Sequence, residues 1–176
     1  DICDINVKKL IKNLSIKDYV IFHIDEKCVD MFNAKGDSYI FFEKLYQKFV
    51  CPIFITYTNK NLKIINELKE NFKKVNFQDV NSLNFNGLSE KAIIIENTNI
   101  FEFERLINYS KISISCHSGF LVQVAGSNSS NVLDILNDFD CDWIDCWIPK
   151  SIEYKRVLKS INNNLLTFEN IIKQIQ

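Results

Sequence analysis

Short apolar runs alternate with amphipathic stretches along this chain. The apolar runs predict buried strands over residues 18–24, 52–57, 74–77, 91–96, 112–115 and 131–136. Apolar residues at helical spacing predict helices over residues 7–14, 38–49, 58–72, 101–109, 152–158 and 167–175. Strands that alternate with helices favour parallel pairing with right-handed crossovers. We therefore expect one α/β domain over residues 1–176, a Rossmann-like three-layer sandwich with a mostly parallel sheet of about six strands and helices on both faces.

Two smaller features refine this expectation. Ser38 is placed to cap the helix that follows it, and residues 120–125 are expected to form the first turns of a packed helix. The chain begins with Asp1 and carries no signal sequence, so we expect a cytoplasmic segment that belongs to something longer.

Charge and hydropathy argue against several classes of partner. The chain has 21 basic and 22 acidic residues, a formal net charge of -1. This balance gives no electrostatic reason to expect nucleic acid or an anionic membrane as the main partner. No apolar run reaches the roughly 18 residues of a membrane-spanning helix.

The six cysteines are expected to be reduced and mostly buried, because a disulfide framework is unusual in an α/β chain of this size. Cys116, His117, Cys141 and Cys146 are residue types that bind zinc and are the candidates for a zinc site. The spacing of the last two is not that of a two-residue zinc knuckle, so we expect no bound metal.

The central feature is the turn that follows the strand at residues 112–115. The strand breaks at Cys116, His117, Ser118 and Gly119 before an apolar run resumes. A strand that feeds a helix through such a turn presents backbone N–H groups that can bind an anion. Gly119 allows close approach to the backbone, and Ser118 can either cap the helix or donate to a phosphate. The alternative is that Ser118 is only a cap and Gly119 only a tight turn.

The end of the first strand carries a second group of polar residues, namely His23, Asp25 and Lys27. In open parallel sheets, ligands bind at the carboxyl ends of the strands, so these side chains are candidates for binding. We expect the ends of the first and fifth strands to meet, with His23 and Lys27 beside Ser118 and Gly119 and the amides of that turn pointing into an open crevice. The alternative is a buried core imidazole at His23 and a solvated ammonium at Lys27.

Several enzyme classes lack their motifs in this chain. Neither a G-x-G-x-x-G turn nor a P-loop is present, which argues against dinucleotide dehydrogenases and P-loop NTPases. No G-x-S-x-G elbow is present, and His23 precedes Ser118, against the usual order in serine hydrolases. A thiol pair of Cys116 with His23 is disfavoured because a cysteine at the end of a buried strand is usually inert.

Residues 19–25, 99–107 and 112–119, together with the order of elements, resemble a known family. They are similar to the C-terminal, nucleotide-sugar-binding half of two-domain GT-B glycosyltransferases, closest to glycosyltransferase family nine, the lipopolysaccharide heptosyltransferase-like enzymes. In that family the equivalent turn carries an acidic residue, then Ser or Thr, then Gly, and receives the donor diphosphate. Ser118 and Gly119 match this pattern, and His117 stands at the acidic position.

The resemblance implies a transferase domain for cell-surface glycan biosynthesis. Its substrate would be a nucleotide-diphosphate sugar, without a separate cofactor, and its acceptor a glycan or a lipid-linked glycan. An N-terminal domain would carry the acceptor site and the general base. Here His117 would add a donor, Lys27 would stabilise the leaving diphosphate, and Asn97 and Thr98, at the end of the neighbouring strand, would read the base or ribose. The alternative from another class is a Rossmann-like module without ligand that binds a partner through Phe139, Trp143 and Trp147.

Overall fold

A computed structural model of the chain describes residues 1–32, 34–81, 90–118, 131–137, 146, 148, 150–160 and 164–175. Within these residues, the α-helices are α1 (Ile2–Asn13), α2 (Asp37–Phe49), α3 (Lys63–Asn71), α4 (Ile100–Tyr109) and α5 (Asn164–Gln174). The strands are β1 (Val20–Ile24), β2 (Ile53–Tyr57), β3 (Lys73–Asn76), β4 (Ala92–Glu96), β5 (Ile112–Ser115), β6 (Val132–Leu136) and β7 (Tyr154–Leu158). Two short 3₁₀ helices cover Glu26–Met31 and Phe77–Asp79.

The seven strands form one parallel sheet in the order β3-β4-β2-β1-β5-β6-β7. With the edge strand β3 set aside, the other six follow the doubly wound order in which the chain builds outward from β1 in both directions. The direction changes between β1 and β5, which lie side by side. Such a switch point is where ligands enter parallel sheets of this kind.

Apolar side chains cover both faces of the sheet, which gives the three layers. On one face, α2, α3 and α5 pack on β1 and β2, with a cluster of aromatic rings around Phe22, Phe41 and Phe42. On the other face, α1 and α4 contribute Leu10 and Leu106 to a second apolar layer. The predicted Rossmann-like α/β sandwich is therefore confirmed, with one strand more than expected.

The additional strand is a correction. Residues 152–158 were expected to form a helix, because their apolar and polar residues also fit a helical spacing. They instead contain β7, which pairs with β6 along five residues, from Val132 with Tyr154 to Leu136 with Leu158. β7 lies at the sheet edge, so its polar side chains reach solvent while Val157 packs inward. The pairing with β6, which is distant in sequence, therefore outweighed the helical spacing of the residues themselves.

The expected cap at Ser38 is also wrong. α2 begins after Gly36, whose positive φ of 93° glycine adopts readily. Ser38 lies inside the helix, is buried, and donates its hydroxyl to Glu67 Oε1 at 2.7 Å. The helix expected over residues 120–125 lies outside the described residues. Among the residues that are described, no helix is long and apolar enough to cross a membrane.

Candidate functional site

Two of the predicted groups meet at the carboxyl edge of the sheet. β1 and β5 are neighbours, and His23 pairs in register with Ser115. The segment with Asp25 and Lys27 therefore begins beside the turn that carries His117 and Ser118. Both groups belong to the same edge, at the switch point of the sheet.

A row of polar side chains crosses the sheet just before this edge. In the pairing register, Thr56 lies opposite His23, His23 opposite Ser115, Ser115 opposite Asp134, and Asp134 opposite Arg156. Residues paired in register project from the same face of a sheet. All but Arg156 are at most 2% exposed. We call these five residues the polar row.

Asp134 holds the turn after β5. Its Oδ1 accepts the backbone N–H of His117 at 2.7 Å, and its Oδ2 accepts from His117 Nδ1 at 2.9 Å and from the Tyr154 hydroxyl at 3.0 Å. Asp134 is fully buried, and three donors compensate the loss of its hydration. His117 adopts a left-handed backbone, with φ of 56°, which costs free energy for a residue with a Cβ. The carboxylate therefore fixes both the backbone and the imidazole of His117.

The backbone donors expected at this turn are engaged inside the protein. The N–H of His117 donates to Asp134, and the N–H of Ser118 donates to Ser115 Oγ at 3.2 Å. His117 and Ser118 are both buried. The expectation that the Ser118 amide points into an open crevice is therefore wrong. Gly119, the remaining predicted residue of the turn, lies outside the described residues.

His23 is a buried residue with one polar atom left over. Its Nδ1 is hydrogen-bonded to Thr56 Oγ1 at 2.9 Å, and its ring lies against Phe103 of α4, 4.9 Å between centroids. Among the described residues, its Nε2 has no hydrogen-bond partner. Burial lowers the pKa of His23 to about 4, so the imidazole is neutral at pH 7. The core-imidazole alternative thus accounts for Nδ1 but not for Nε2.

Asp25 and Lys27 form a tight turn after β1. Asp25 Oδ1 accepts the backbone N–H of Lys27 at 2.9 Å, and burial raises the pKa of the Asp25 carboxyl. The carbonyl of Lys27 accepts a hydrogen bond from Lys159 Nζ, which ties this segment to the end of β7. The Lys27 side chain is exposed. The backbone is therefore anchored while the ammonium faces solvent at the switch point.

Asn97 and Thr98 lie elsewhere on the same edge. They follow β4, which β2 separates from β1, so β4 is not the neighbour of the central strands as expected. They line an open pocket of about 460 Å³ with residues 57–61 and 95–96. Asn97 has a left-handed backbone, φ 60°, and donates Nδ2 to Asn76 Oδ1 at 3.0 Å. We call this cavity the β2/β4 pocket.

One wall of the β2/β4 pocket carries a charged cluster. Glu96 Oε1 accepts from the Tyr57 hydroxyl at 2.5 Å and from Lys69 Nζ at 2.8 Å. Burial alone would raise the pKa of Glu96, but the hydrogen bonds from Lys69 and Tyr57 outweigh it, so the pKa is lowered. Glu96 is therefore ionised at neutral pH, which disfavours a second anion on this wall.

The cysteines follow the expected distribution where they are described. Cys28, Cys51 and Cys116 are buried, Cys3 is partly exposed, Cys146 is exposed, and all five are free thiols. In the described part of the chain, no group of three or more His, Cys, Asp or Glu side chains could hold a metal ion. The zinc set drawn from the sequence includes Cys141, which lies outside that part.

Sequence reasoning missed three residues that shape this edge, Asp134, Tyr154 and Asn59. The signal for Asp134 was present, since an acidic residue interrupts the apolar run of residues 132–136. A buried carboxylate requires donors, and this requirement predicts a polar partner on adjoining segments. Tyr154 was hidden by the helix wrongly expected over residues 152–158. Asn59 was hidden by the helix expected to begin at residue 58, since α3 begins only at Lys63 and Asn59 lies in the loop before it.

Comparisons with known proteins assign no family. No family model matches the chain, and a search of curated proteins finds no match. The fold and the edge define an α/β protein with a Rossmann-like parallel sheet and polar groups gathered at the switch point.

Proposed function

We propose that this chain binds a nucleotide-diphosphate sugar and forms the donor-binding domain of a GT-B glycosyltransferase. The observation that carries the proposal is the pairing of His23 with Ser115 at the switch point. It starts the Lys27 segment and the turn of His117 and Ser118 side by side, on the same sheet edge as an open polar pocket. A ligand that spans both features needs an anionic part and a polar, hydrogen-bonding part. A nucleoside diphosphate has both.

The diphosphate is assigned to the β1 and β5 end of this edge. Lys27 provides an exposed ammonium on an anchored backbone. The flexible side chain can follow the diphosphate as its position and charge change. Asp134 orients the imidazole of His117, and the Ser118 hydroxyl lies on the same turn. In a transfer reaction the diphosphate gains charge as it leaves, so the Lys27 ammonium would stabilise the transition state more than the bound donor.

The nucleoside is assigned to the β2/β4 pocket. Its volume of about 460 Å³ lies within the range of small-molecule sites. Side chains of Asn59, Asn61, Asn97 and Thr98 line it, and amides and hydroxyls can pair with the edges of a base or with a ribose. The ionised Glu96 on its wall favours neutral hydroxyl donors over phosphate at this end.

The acceptor, a glycan or lipid-linked glycan, and the general base are assigned to a separate N-terminal domain. This division predicts that the chain binds donor without turning it over. His23, Asp25 and Gly119 complete the proposed donor site. His23 is buried and supports the sheet edge through its hydrogen bond with Thr56.

Isothermal titration calorimetry with ADP, UDP, GDP and CDP tests the proposal. We expect one nucleotide to bind at one site, and Lys27→Met to weaken it about tenfold, because a charged hydrogen bond to phosphate is worth about 1.5–3 kcal/mol. Lys12→Met, at the last turn of α1, is the matched control and leaves binding unchanged. Binding of none of the four nucleotides, or equal losses in the two variants, would overturn the assignment and favour the ligand-free partner-binding module.

Gly119→Val provides a second test of the same site. A Cβ and two methyl groups at this turn would exclude a phosphate from the backbone. We expect weaker nucleotide binding than in the wild type, measured at a temperature where circular dichroism shows both proteins to be folded. Undiminished binding would remove the turn after β5 from the donor site.

A further inference from the structure

A cavity of about 240 Å³ opens at the amino edge of the sheet, opposite the edge proposed to bind the donor. Its lining comes from the starts of β5, β6 and β7 and from the carboxyl ends of α2 and α5. Parallel strands begin at one edge, and the helices that follow them run back toward that edge, so these segments converge there. We call this space the amino-edge cavity.

The inner wall of the amino-edge cavity is apolar. Ile112, Val132 and Ile175 are at most 8% exposed, and Phe49 is partly buried against the same core. An apolar cavity of about 150 Å³ in another protein is large enough to bind benzene. The larger volume here therefore admits an aliphatic chain of several carbons.

Three lysines, Lys48, Lys111 and Lys155, line the same cavity. Glu153 also lines it and forms an ion pair with Lys155 at 3.2 Å. Within the described part of the chain, no carboxylate forms an ion pair with Lys48 or Lys111. Lysine stems pack along apolar surface and keep their ammonium groups in water. Three ammonium groups less one carboxylate leave a net charge of plus two around the apolar wall.

Helix dipoles explain only part of this charge. Lys48 lies in the last turn of α2, where a cation offsets the negative end of the helix dipole. Lys111 and Lys155 lie at the starts of β5 and β7, where that explanation does not apply. An adjoining groove of about 400 Å³ between α2 and α5 shares Lys48 and adds two further lysines and one glutamate. The whole chain has a net charge of -1, so this positive charge is local.

We propose that the amino-edge cavity binds a small amphipathic anion, an aliphatic carboxylate with a chain of medium length. The chain lies on the apolar wall, which removes its surface from water. The carboxylate lies among the lysines, where the net positive charge attracts it. Free phosphate is disfavoured, because it has acceptor oxygens on every side and some would lose their hydration against the apolar wall. The charge and the apolar wall together thus select an amphipathic ligand.

An NMR titration of the ¹⁵N-labelled protein with sodium acetate, butyrate, hexanoate and octanoate tests the proposal. We expect octanoate to bind saturably at one site, with amide shifts confined to the segments that line the cavity. Affinity should rise about threefold to fourfold for each methylene that enters the cavity. We expect 1-octanol, which has the same chain without the charge, to bind at least about fivefold more weakly.

Lys111→Met tests the charge at the rim of the cavity. The loss of a solvent-exposed ion pair should weaken octanoate binding by up to about fivefold. Lys17→Met is the matched control and leaves octanoate binding unchanged, because Lys17 precedes β1 at the same sheet edge but does not line the cavity. Both lysines are exposed, so both variants should fold, which circular dichroism checks.

The proposal is overturned if octanoate does not saturate one site or if the amide shifts lie elsewhere. It is also overturned if acetate or 1-octanol binds as tightly as octanoate, or if Lys111→Met and Lys17→Met bind octanoate alike. None of these comparisons involves a nucleotide or the carboxyl edge, so failure here is distinguishable from failure of the proposed donor site.

Discussion

On the β5 and β6 side of β1, the polar side chains at the carboxyl edge are buried and bonded to each other. On the β2 and β4 side, they line an open pocket of about 460 Å³. Asp134 represents the first arrangement, with no exposed surface and three donors. Asn59 represents the second, since it is only partly buried, lines the open pocket and donates Nδ2 to Glu26 Oε1 at 3.1 Å.

The contrast indicates that the two sides of this edge have different roles. A buried, fully bonded carboxylate fixes the geometry of its neighbours, because breaking any of its contacts leaves an unsatisfied polar group. Exposed amides gain little from each other and remain available to a ligand. Substitutions should therefore cost stability on the β5 and β6 side and affinity on the β2 and β4 side.

The largest expected effect is that of Asp134→Ala. Removing this carboxylate leaves the backbone N–H and imidazole of His117, and the hydroxyl of Tyr154, without their acceptor. A buried donor that loses its acceptor typically costs about 1–3 kcal/mol, so with three donors affected we expect the free energy of unfolding to fall by about 3–5 kcal/mol. Urea unfolding followed by circular dichroism measures it.

Two variants serve as controls for that measurement. Tyr154→Phe removes one donor and should cost about 1 kcal/mol. Asn59→Ala, in the β2/β4 pocket, should change stability by less than about 1 kcal/mol, because it breaks only solvent-exposed hydrogen bonds to Glu26 and Asn61. If Asp134→Ala and Asn59→Ala were equally mild, the two sides of the edge would not differ as described.

The next effect is a pH dependence that originates at His23, on the boundary between the two sides. The pKa of His23 is about 4 in the folded protein and about 6.5 when the chain is unfolded. Between these values the unfolded chain binds the proton first, so stability falls as pH falls from about 6.5 to about 4. The full loss is about 3 kcal/mol for a shift of this size.

Urea unfolding between pH 4 and 7.5 measures this dependence. His23→Gln keeps a polar partner for Thr56 and should have a flatter profile than the wild type. The carboxylates are common to both proteins, so the difference between the profiles isolates the imidazole. Parallel profiles would show that His23 titrates alike in the folded and unfolded chains.

The smallest effect is expected at Asn97, on the open side. Its left-handed backbone costs a typical residue about 1–2 kcal/mol, less for Asn and little for Gly. Asn97→Ala should therefore be about 1 kcal/mol less stable than Asn97→Gly, although both lose the contact with Asn76. Thermal unfolding compares them, and a more stable alanine variant would contradict a strained turn at this pocket.

The layered fold was predictable because its signals are local. Six apolar strands and five amphipathic helices are present where the sequence pattern indicates them, with ends displaced by a few residues. β7 was not predictable in this way, since its polar residues suit an edge strand or a helix equally. Its structure depends on β6 and on the buried Asp134, which needs Tyr154 as a donor.

The site was predictable in position but not in bonding. The ends of β1 and β5 were expected to meet, and they do. The amide of His117 is engaged by Asp134, which the register of β5 and β6 brings close and nearby sequence does not. The amide of Ser118 is engaged locally by Ser115, a contact that depends on the bend after β5. The position of Asn97 two strands from β1 likewise depends on strand order.

The polar row also fixes the register in which the strands pair as the sheet forms. A slip of one residue in any of its strands would turn that strand's polar side chain to the other face, which packs against α2, α3 and α5. His23 and Asp134 would then be buried without partners, which is far more costly than a misplaced apolar residue. Apolar strands alone pair almost equally well in several registers, so these few polar groups make one alignment of the central strands distinct from the rest.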